Sequence, residues 1–143
     1  MRMMERTIKF RGFTKDLEYN VWNYGFLVGD YIVEMVLEKS GLHLMNKVDM
    51  KSIGQFTGLR DINHREIYEG DIIQDESENI YLVVYVEVFT SFCLISFPCG
   101  STISYYRDCD NLTKDKVERD KLVVVGNDYE HRFEKKELKN NKK

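Results

Sequence analysis

The fold of this chain is decided by one stretch of alternating side chains, Ile80-Tyr81-Leu82-Val83-Val84-Tyr85-Val86-Glu87-Val88-Phe89. Successive side chains of a β-strand point to opposite faces of its sheet. The pattern therefore predicts a core face made of the even-numbered residues from Ile80 to Val88. The odd-numbered face is too apolar for open water, so we expect another part of the chain or a second subunit to cover it.

The aromatic residues of that second face form the candidate interface of the protein. They are Tyr81, Tyr85 and Phe89. Aromatic residues are enriched in the buried centres of protein–protein interfaces. Self-association into a homo-oligomer is one way to cover them, and intramolecular packing against an N-terminal hairpin is the alternative.

Upstream, Trp22, Tyr24, Phe26 and Val28 alternate onto one face of a second predicted strand. Gly29-Asp30 after it has the composition of a hairpin turn. Residues 31–39 fit either a strand or a helix, and their β-branched content favours the strand and a hairpin. Asp49 is predicted to be the N-cap of a single helical turn that Gly54 ends.

Downstream, short apolar runs bounded by turn residues continue the β pattern. Residues 92–97 and 122–126 are predicted strands, and residues 108–121 form a loop or a short helix. Gly54, Gly58 and Gly70 are expected at positions of positive φ or close backbone approach. The fold class is therefore mainly β, with an N-terminal β-rich segment of a hairpin and a helical turn.

The charge distribution is uneven and limits the kinds of partner. The formal net charge is −3, but residues 56–110 carry ten acidic against three basic residues. A dedicated nucleic-acid binder is usually basic, so this balance argues against one. Cys93, Cys99 and Cys109 include no Cys-x-x-Cys pair, and we read them as reduced thiols of a cytoplasmic protein. No apolar run is long enough for a membrane helix.

No catalytic, cofactor or metal residue is predicted. Glu66, Glu69 and Asp71 cluster in sequence, but turn formation with solvated charge explains them without a cation. His43, His64 and His131 are far apart. Neither a Gly-x-Ser-x-Gly elbow nor a nucleotide-binding glycine loop is present. We therefore predict a non-enzymatic protein without cofactors.

A nucleic-acid contact is the second candidate site. Lys9 and Arg11 share one face of the first predicted strand and would follow a phosphate backbone. Trp22, or its neighbours Tyr24 and Phe26, would stack on bases if exposed. Aromatics at alternating strand positions are more often core, so nucleic acid is a possible but not a favoured partner.

Several motifs together carry a resemblance to a known family. They are Ile8-Lys9-Phe10-Arg11-Gly12, Trp22-x-Tyr24-Gly25, the block Ser52-Ile53-Gly54-Gln55-Phe56-Thr57-Gly58-Leu59-Arg60-Asp61, its continuation Glu66 to Ile73, and Val124-Val125-Gly126-Asn127. In order and spacing the chain resembles the YopX family of phage and prophage proteins. The family turn usually ends Asn-Gly, whereas here it is Asn63-His64, so a histidine must accept positive φ.

The resemblance implies a bacteriophage-encoded protein of unknown function with a small SH3-like barrel in its C-terminal part, and no catalytic residues to carry over. We accordingly expect three regions: an N-terminal segment over 1–55, the barrel over 56–133 and a charged tail over 134–143 that is either disordered or a frayed helix. The leading hypothesis is a self-associating, non-enzymatic module that binds host or phage proteins in the cytoplasm of the host bacterium. The alternatives are a nucleic-acid-binding accessory protein and a small enzyme whose site is assembled across the chain.

Overall fold

The structure is a computed structural model that describes residues 6–15, 20–37, 41–97 and 109–141. It divides into two compact units, Met1–Gly58 and Leu59–Lys143. Both are built on antiparallel strands, which confirms the mainly β class. The strands are β1 Phe10–Lys15, β2 Asn20–Val28, β3 Tyr31–Leu37, β4 Leu42–Lys47, β5 Gly54–Arg60, β6 Glu66–Tyr68, β7 Asp71–Gln74, β8 Ile80–Val86, β9 Ser91–Ser96, β10 Asp110–Asn111 and β11 Val123–Asn127.

Strands of the first unit lie in the order β4-β3-β2-β1-β5. The hairpin at Gly29-Asp30 is confirmed, since Val28 pairs with Tyr31 across it. The ambiguous segment is strand as far as Leu37, and residues 38–39 lie outside the described residues. Strand β5 passes Gly58 into the second unit, where β6 is its neighbour.

The helical turn after Asp49 is confirmed as a 3-10 turn over Met50–Ser52. The Lys51 backbone N–H donates to Asp49 Oδ1 at 3.1 Å, which is the predicted N-cap. The Phe13 N–H donates to Ser52 Oγ at 2.7 Å, so the turn is attached to β1. The turn ends at Ile53, one residue earlier than predicted, because Gly54 already begins β5.

The second unit contains a sheet in the order β10-β9-β8-β7-β11, with buried apolar residues on both of its faces. The larger cluster lies on the face of β8 that carries Val83, together with side chains of α1 (Lys114–Asp120) and of the loops around it. Its members are Ile67, Ile73, Val83, Leu94, Leu112, Val117, Leu122 and Val124. The predicted core face forms the smaller cluster around Leu82, Ile72 and Ile95.

Strand β8 ends at Val86, three residues before the predicted end. Glu87–Phe89 form a 3-10 turn, and Thr90 takes a left-handed conformation with φ 47°. Strand alternation stops where the backbone turns, so Val88, predicted as core, is 71% exposed. The chain reverses over Glu87–Thr90, and Ser91 already begins β9, where it pairs with Val86.

The turn at Asp61-Ile62-Asn63-His64 is confirmed and is built around a buried carboxylate. Asp61 is 4% exposed, and its Oδ1 accepts from the N–H groups of Asn63 and Arg65, each at 2.9 Å. Its Oδ2 accepts from the Val124 N–H at 2.9 Å. His64 has φ 67°, as the missing glycine requires. Gly58 and Gly70 likewise have positive φ, at 87° and 92°, whereas Gly54 is not among the positive-φ glycines described.

Helix α2, Asp128–Asn141, includes most of the charged tail, which agrees with the helical alternative for this segment. The helix starts well before Glu134, because Asn127 Oδ1 accepts from the Glu130 N–H at 2.8 Å and Asp128 pairs with Arg132 at 2.8 Å. Neither sheet closes on itself in the part of the chain described, so the SH3-like barrel is not confirmed. None of the helices described has the length and apolar character needed to cross a membrane.

Candidate functional site

The register of the first unit brings a set of exposed apolar and aromatic side chains onto one face of its sheet. Directly paired residues of antiparallel strands point the same way. Tyr24 pairs with Arg11, Val28 with Tyr31, and Met45 with Val33, which itself pairs with Phe26. We call the exposed members of this surface the aromatic face: Tyr24, Phe26, Val28, Tyr31, Met45 and Lys47.

The two faces differ in exposure near the centre of the sheet, although the opposite face also exposes Val21 and Leu44, each by 48%. Phe26 is 59% exposed and Met45 58%, whereas Ile32 on the other face is fully buried. Val48 and Asn23 are also buried, and the Asn23 amide donates to Thr14 Oγ1 at 2.7 Å. The unit therefore buries Ile32, Val48 and Asn23 on one side of the sheet, and the other side combines exposed aromatic rings with the buried Phe56 and Arg11.

All three residues predicted to contact nucleic acid lie on this same side, but they are engaged with rings of the unit itself. The Arg11 guanidinium carbon lies 4.7 Å from the Trp22 ring centre, and Lys9 Nζ lies 5.2 Å from that of Phe56. Arg11 is only 5% exposed. Both contacts have cation–π geometry. Arg11 and Trp22 therefore build the base of the surface, and Tyr24 and Phe26 present the exposed rings.

Tyr31, Met45 and Lys47 were missed by the sequence analysis as members of this surface. The predicted two-residue turn at Gly29-Asp30 was a sufficient signal for Tyr31, since it places this residue opposite Val28. Strand β4 was not predicted, so nothing in the sequence placed Met45 or Lys47.

The side of the sheet that carries the aromatic face also carries several basic residues. Lys47 is exposed, and Lys9, Arg11 and Lys15 lie on the same side of β1 and the segment before it. Glu34 is the sole carboxylate within strands β1 to β5, and it pairs with Leu44 on the opposite face. Asp30 in the hairpin turn approaches Lys47, with 3.8 Å between Oδ2 and Nζ.

A second exposed apolar surface lies at the end of β8 in the other unit. Tyr85 and Phe89 are each 46% exposed, and Val88 is 71% exposed. We call these three residues the β8 tip. The Tyr85 ring meets the Phe92 ring edge-on at 5.3 Å between centres. The tip contains two of the three residues predicted as a candidate interface.

Tyr81, the third, lies inside its own unit. Its ring packs against the larger core cluster, and its hydroxyl donates to Asp75 Oδ2 at 3.1 Å. Burial and the Asp75 carboxylate both raise the pKa of Tyr81. Burial alone would raise the pKa of Asp75, but hydrogen bonds from Asn79 and Tyr81 outweigh it and the pKa is lowered. The odd-numbered face of β8 is thus covered by its own unit up to Val83 and exposed from Tyr85.

In the acidic cluster, Asp71 binds the backbone of a tight turn and Glu66 binds neighbouring side chains. Asp71 is 1% exposed, and its Oδ2 accepts from the Tyr68 N–H at 2.7 Å. Glu66 accepts from the Tyr68 hydroxyl at 3.1 Å and approaches Arg60 at 3.4 Å. Within the described ranges, no group of three or more His, Cys, Asp or Glu side chains is arranged to hold a metal ion.

The two described cysteines lie close together in the second unit. Cys93 is buried in β9, and Cys109 immediately precedes β10, which pairs with β9. Burial, and then the neighbouring Cys93, raise the pKa of the Cys109 thiol. A raised pKa favours the unreactive thiol form over the nucleophilic thiolate.

Comparison with known proteins agrees with the motifs quoted above. The chain matches the model of the YopX protein family over residues 9–132. A search of curated proteins gave no match. The matched range includes the aromatic face, the β8 tip and the start of α2, and it covers most of the chain. This protein belongs to the YopX family.

Proposed function

We propose that the protein is a non-enzymatic binding module that self-associates through the β8 tip. The observation that carries this proposal is the exposure of Tyr85, at the end of β8, and of Val88 and Phe89 in the 3-10 turn that follows it. Large exposed apolar groups that lie together on a folded domain typically mark an interaction surface. Aromatic residues supply much of the binding energy in such surfaces.

The backbone of the tip is held in one conformation. Strands β8 and β9 pair up to Val86 and Ser91, and the Thr90 N–H donates to the Glu87 carbonyl at 3.0 Å. The contact with Phe92 also fixes the Tyr85 ring from one side. A preorganised surface loses less conformational entropy on binding, which favours association.

Family membership supports a phage or prophage setting for this module. We propose that it acts in the cytoplasm of the host bacterium on host or phage proteins. A small SH3-like arrangement of residues 56–133 is a further expectation from the family resemblance, supported by the short antiparallel strands of this region.

Light scattering after gel filtration tests the proposal. The wild type should elute as an oligomer at low and at high salt, because an apolar interface is not screened by ions. Tyr85→Asp and Phe89→Asp should each give a monomer, since a buried unpaired carboxylate opposes association.

Val125→Asp is the matched control. Val125 is 49% exposed on β11, so the change introduces the same charge at a similar exposure elsewhere in the same unit. It should leave the oligomer intact. A wild type that is monomeric at every concentration measured, or a control that dissociates as readily as Tyr85→Asp, would refute self-association through the tip.

A further inference from the structure

We propose that Cys93 and Cys109 form a redox pair that closes to an intramolecular disulfide and fastens the chain before β10 to β9. Both residues belong to the second unit. The proposal goes beyond self-association through the β8 tip and does not depend on it.

Strand pairing places the two cysteines on one face of the sheet. Cys93 pairs with Asn111 in the ladder between β9 and β10, and Cys109 lies two residues before Asn111. Directly paired residues point to the same face, and so do residues two apart along an extended chain. Cys93 and Cys109 are therefore diagonal neighbours across β9 and the chain that leads into β10.

Packing supports this placement independently. Cys93 is fully buried and pairs with Val84, and both Val84 and Cys109 pack against the smaller core cluster. Burial, the charge of the neighbouring Cys93 and a hydrogen bond between the two thiols together raise the pKa of Cys109. The two thiols are thus already in contact in the reduced protein.

A short movement of Cys109 is enough to join the two sulfur atoms. Diagonal neighbours in a sheet are about 7–8 Å apart, and a disulfide joins Cα atoms about 4.4–6.8 Å apart, so an approach of about 1 Å is needed. Cys109 precedes a strand of two residues, Asp110–Asn111, and its approach disturbs little pairing. Cys93 is paired on both sides, with β8 and with β10, and is the fixed member of the pair.

Access to an oxidant fixes the order of the steps. Cys109 is partly exposed and Cys93 is buried. The Cys109 thiolate attacks one sulfur of a small-molecule disulfide, such as oxidised glutathione, and releases the other half as a thiolate. The Cys93 thiolate then attacks Cys109 Sγ in the mixed disulfide and displaces the second half. Two protein thiols lose two electrons, and the small disulfide takes them up with the two thiol protons to give two thiols.

Closure changes the contacts beside β10 and the stability of the unit. In the reduced protein the Cys93 thiol donates to Asn111 Oδ1 at 3.5 Å, and the Ser91 hydroxyl donates to the same oxygen at 3.1 Å. The disulfide removes the first of these bonds. It also closes a loop over residues 94–108, which lowers the conformational entropy of the unfolded chain and stabilises the folded one. Because the raised pKa of Cys109 leaves little thiolate, closure is slow and needs a sustained supply of oxidant.

Mass spectrometry of the Cys99→Ser chain tests the pair directly, because Cys93 and Cys109 are then its only cysteines. The reduced chain is incubated with excess oxidised glutathione, and the remaining thiols are alkylated. We expect the intact mass to fall by that of two hydrogen atoms, without doubling and without alkylation. Trypsin cuts after Arg107, so the two cysteines fall in different peptides, and these should be recovered as one linked species.

Thermal unfolding gives a second readout with a matched control. The oxidised Cys99→Ser chain should unfold about 5 °C or more above its reduced form, and a reductant should remove the difference. Adding Cys109→Ala leaves the buried Cys93 without its partner. This control should show no linked peptides and the same unfolding temperature with and without reductant.

Two results would overturn the proposal. One is a Cys99→Ser chain that keeps both thiols, or stays a mixed disulfide at Cys109, under conditions that close the same chain when it is unfolded in denaturant. The other is a Cys93→Ala chain in which Cys99 closes with Cys109 as readily as Cys93 does, because the pairing of β9 with β10 would then not select the partner. Neither result bears on self-association, which Tyr85→Asp tests separately.

Discussion

The two units are both made of antiparallel strands, yet they bury their sheets differently. In the second unit the sheet has apolar clusters on both faces, and residues such as Val83 and Leu94 are at most 1% exposed. In the first unit one face buries Ile32, and the other exposes Phe26 by 59%. The second unit has α1, whose Val117 completes the larger cluster. Within the described part of the first unit, the single helical turn packs against β1.

This difference shows that an alternating row of apolar side chains becomes core only where other elements pack on it. The composition of the strand alone does not decide it. Strands β2 and β8 have similar patterns of alternating large apolar side chains. Strand β8 receives side chains of α1 and of a loop, whereas Phe26 and Val28 of β2 are more than half exposed among the residues described. These exposed side chains of β2 form a surface of the kind that marks an interaction site.

The largest expected effect comes from shortening matched residues in the two sheets. Leu94→Ala should lower the free energy of unfolding by about 2–5 kcal/mol, because it removes buried methyl groups and leaves a cavity. Phe26→Ala should change it by less than about 0.5 kcal/mol, since the ring is mostly in water. Urea unfolding followed by circular dichroism measures both.

If Phe26→Ala lowers the free energy of unfolding about as much as Leu94→Ala, the two sheets do not differ in burial as described. Such a result would mean that the aromatic face is covered in solution. Repeating the measurement at several protein concentrations identifies a second copy as the cover, since the stability would then rise with concentration.

Strand alternation was sufficient to predict most of the sheets. Tyr81 to Val86, the hairpin at Gly29-Asp30 and the N-cap at Asp49 are all determined by local residues and by turn chemistry. The end of β8 was missed because Val88 and Phe89 continue the alternation. Thr90 takes the left-handed conformation at this turn, and because it is not a glycine the sequence contains no signal for that conformation.

The choice between two apolar faces could not be made from the sequence. Val83 lies in the larger core because Leu112 and Val117, far along the chain, pack on its side. For the candidate nucleic-acid contact, the sequence placed Lys9, Arg11 and Trp22 on one face. The burial of Arg11 over Trp22, and hence the role of Tyr24 and Phe26 as the exposed rings, depends on pairing that local patterns do not specify.

A smaller effect is expected from the carboxylate that links the start and the end of the second unit. In Asp61→Asn the amide keeps one oxygen for the turn but loses an acceptor, so the buried N–H of Val124 loses its partner. The free energy of unfolding should fall by about 1–3 kcal/mol. Asp75→Asn, which alters a more exposed turn within the same unit, should cost less. Equal costs would show that the link between Asp61 and Val124 adds nothing.

The smallest effect tests the one-sided core of the first unit. A Cβ at Gly12 would lie 2.6 Å from Val48 Cγ2 and 2.8 Å from its Cβ, on the buried face of the sheet. Overpacking costs about 1–3 kcal/mol, and the lower backbone entropy of alanine in the unfolded chain offsets about 0.5–1 kcal/mol. Gly12→Ala should therefore destabilise the unit by about 1 kcal/mol, read from Trp22 fluorescence during unfolding.

Combining Gly12→Ala with Val48→Ala tests whether the loss of stability in Gly12→Ala comes from the steric clash with Val48. Truncating Val48 removes its two methyl groups, at 2.6 and 2.9 Å from the new Cβ, and keeps its own Cβ at 2.8 Å, so Gly12→Ala should cost less in that background than in the wild type. Additive costs would mean that these methyl groups add nothing to the clash and that the first unit holds its sheet by hydrogen bonds, such as that from Phe13 to Ser52, more than by packing. In that case neither face of the first sheet would stabilise the unit much by side-chain packing. The second unit, whose sheet is packed on both faces, would then differ from it more strongly.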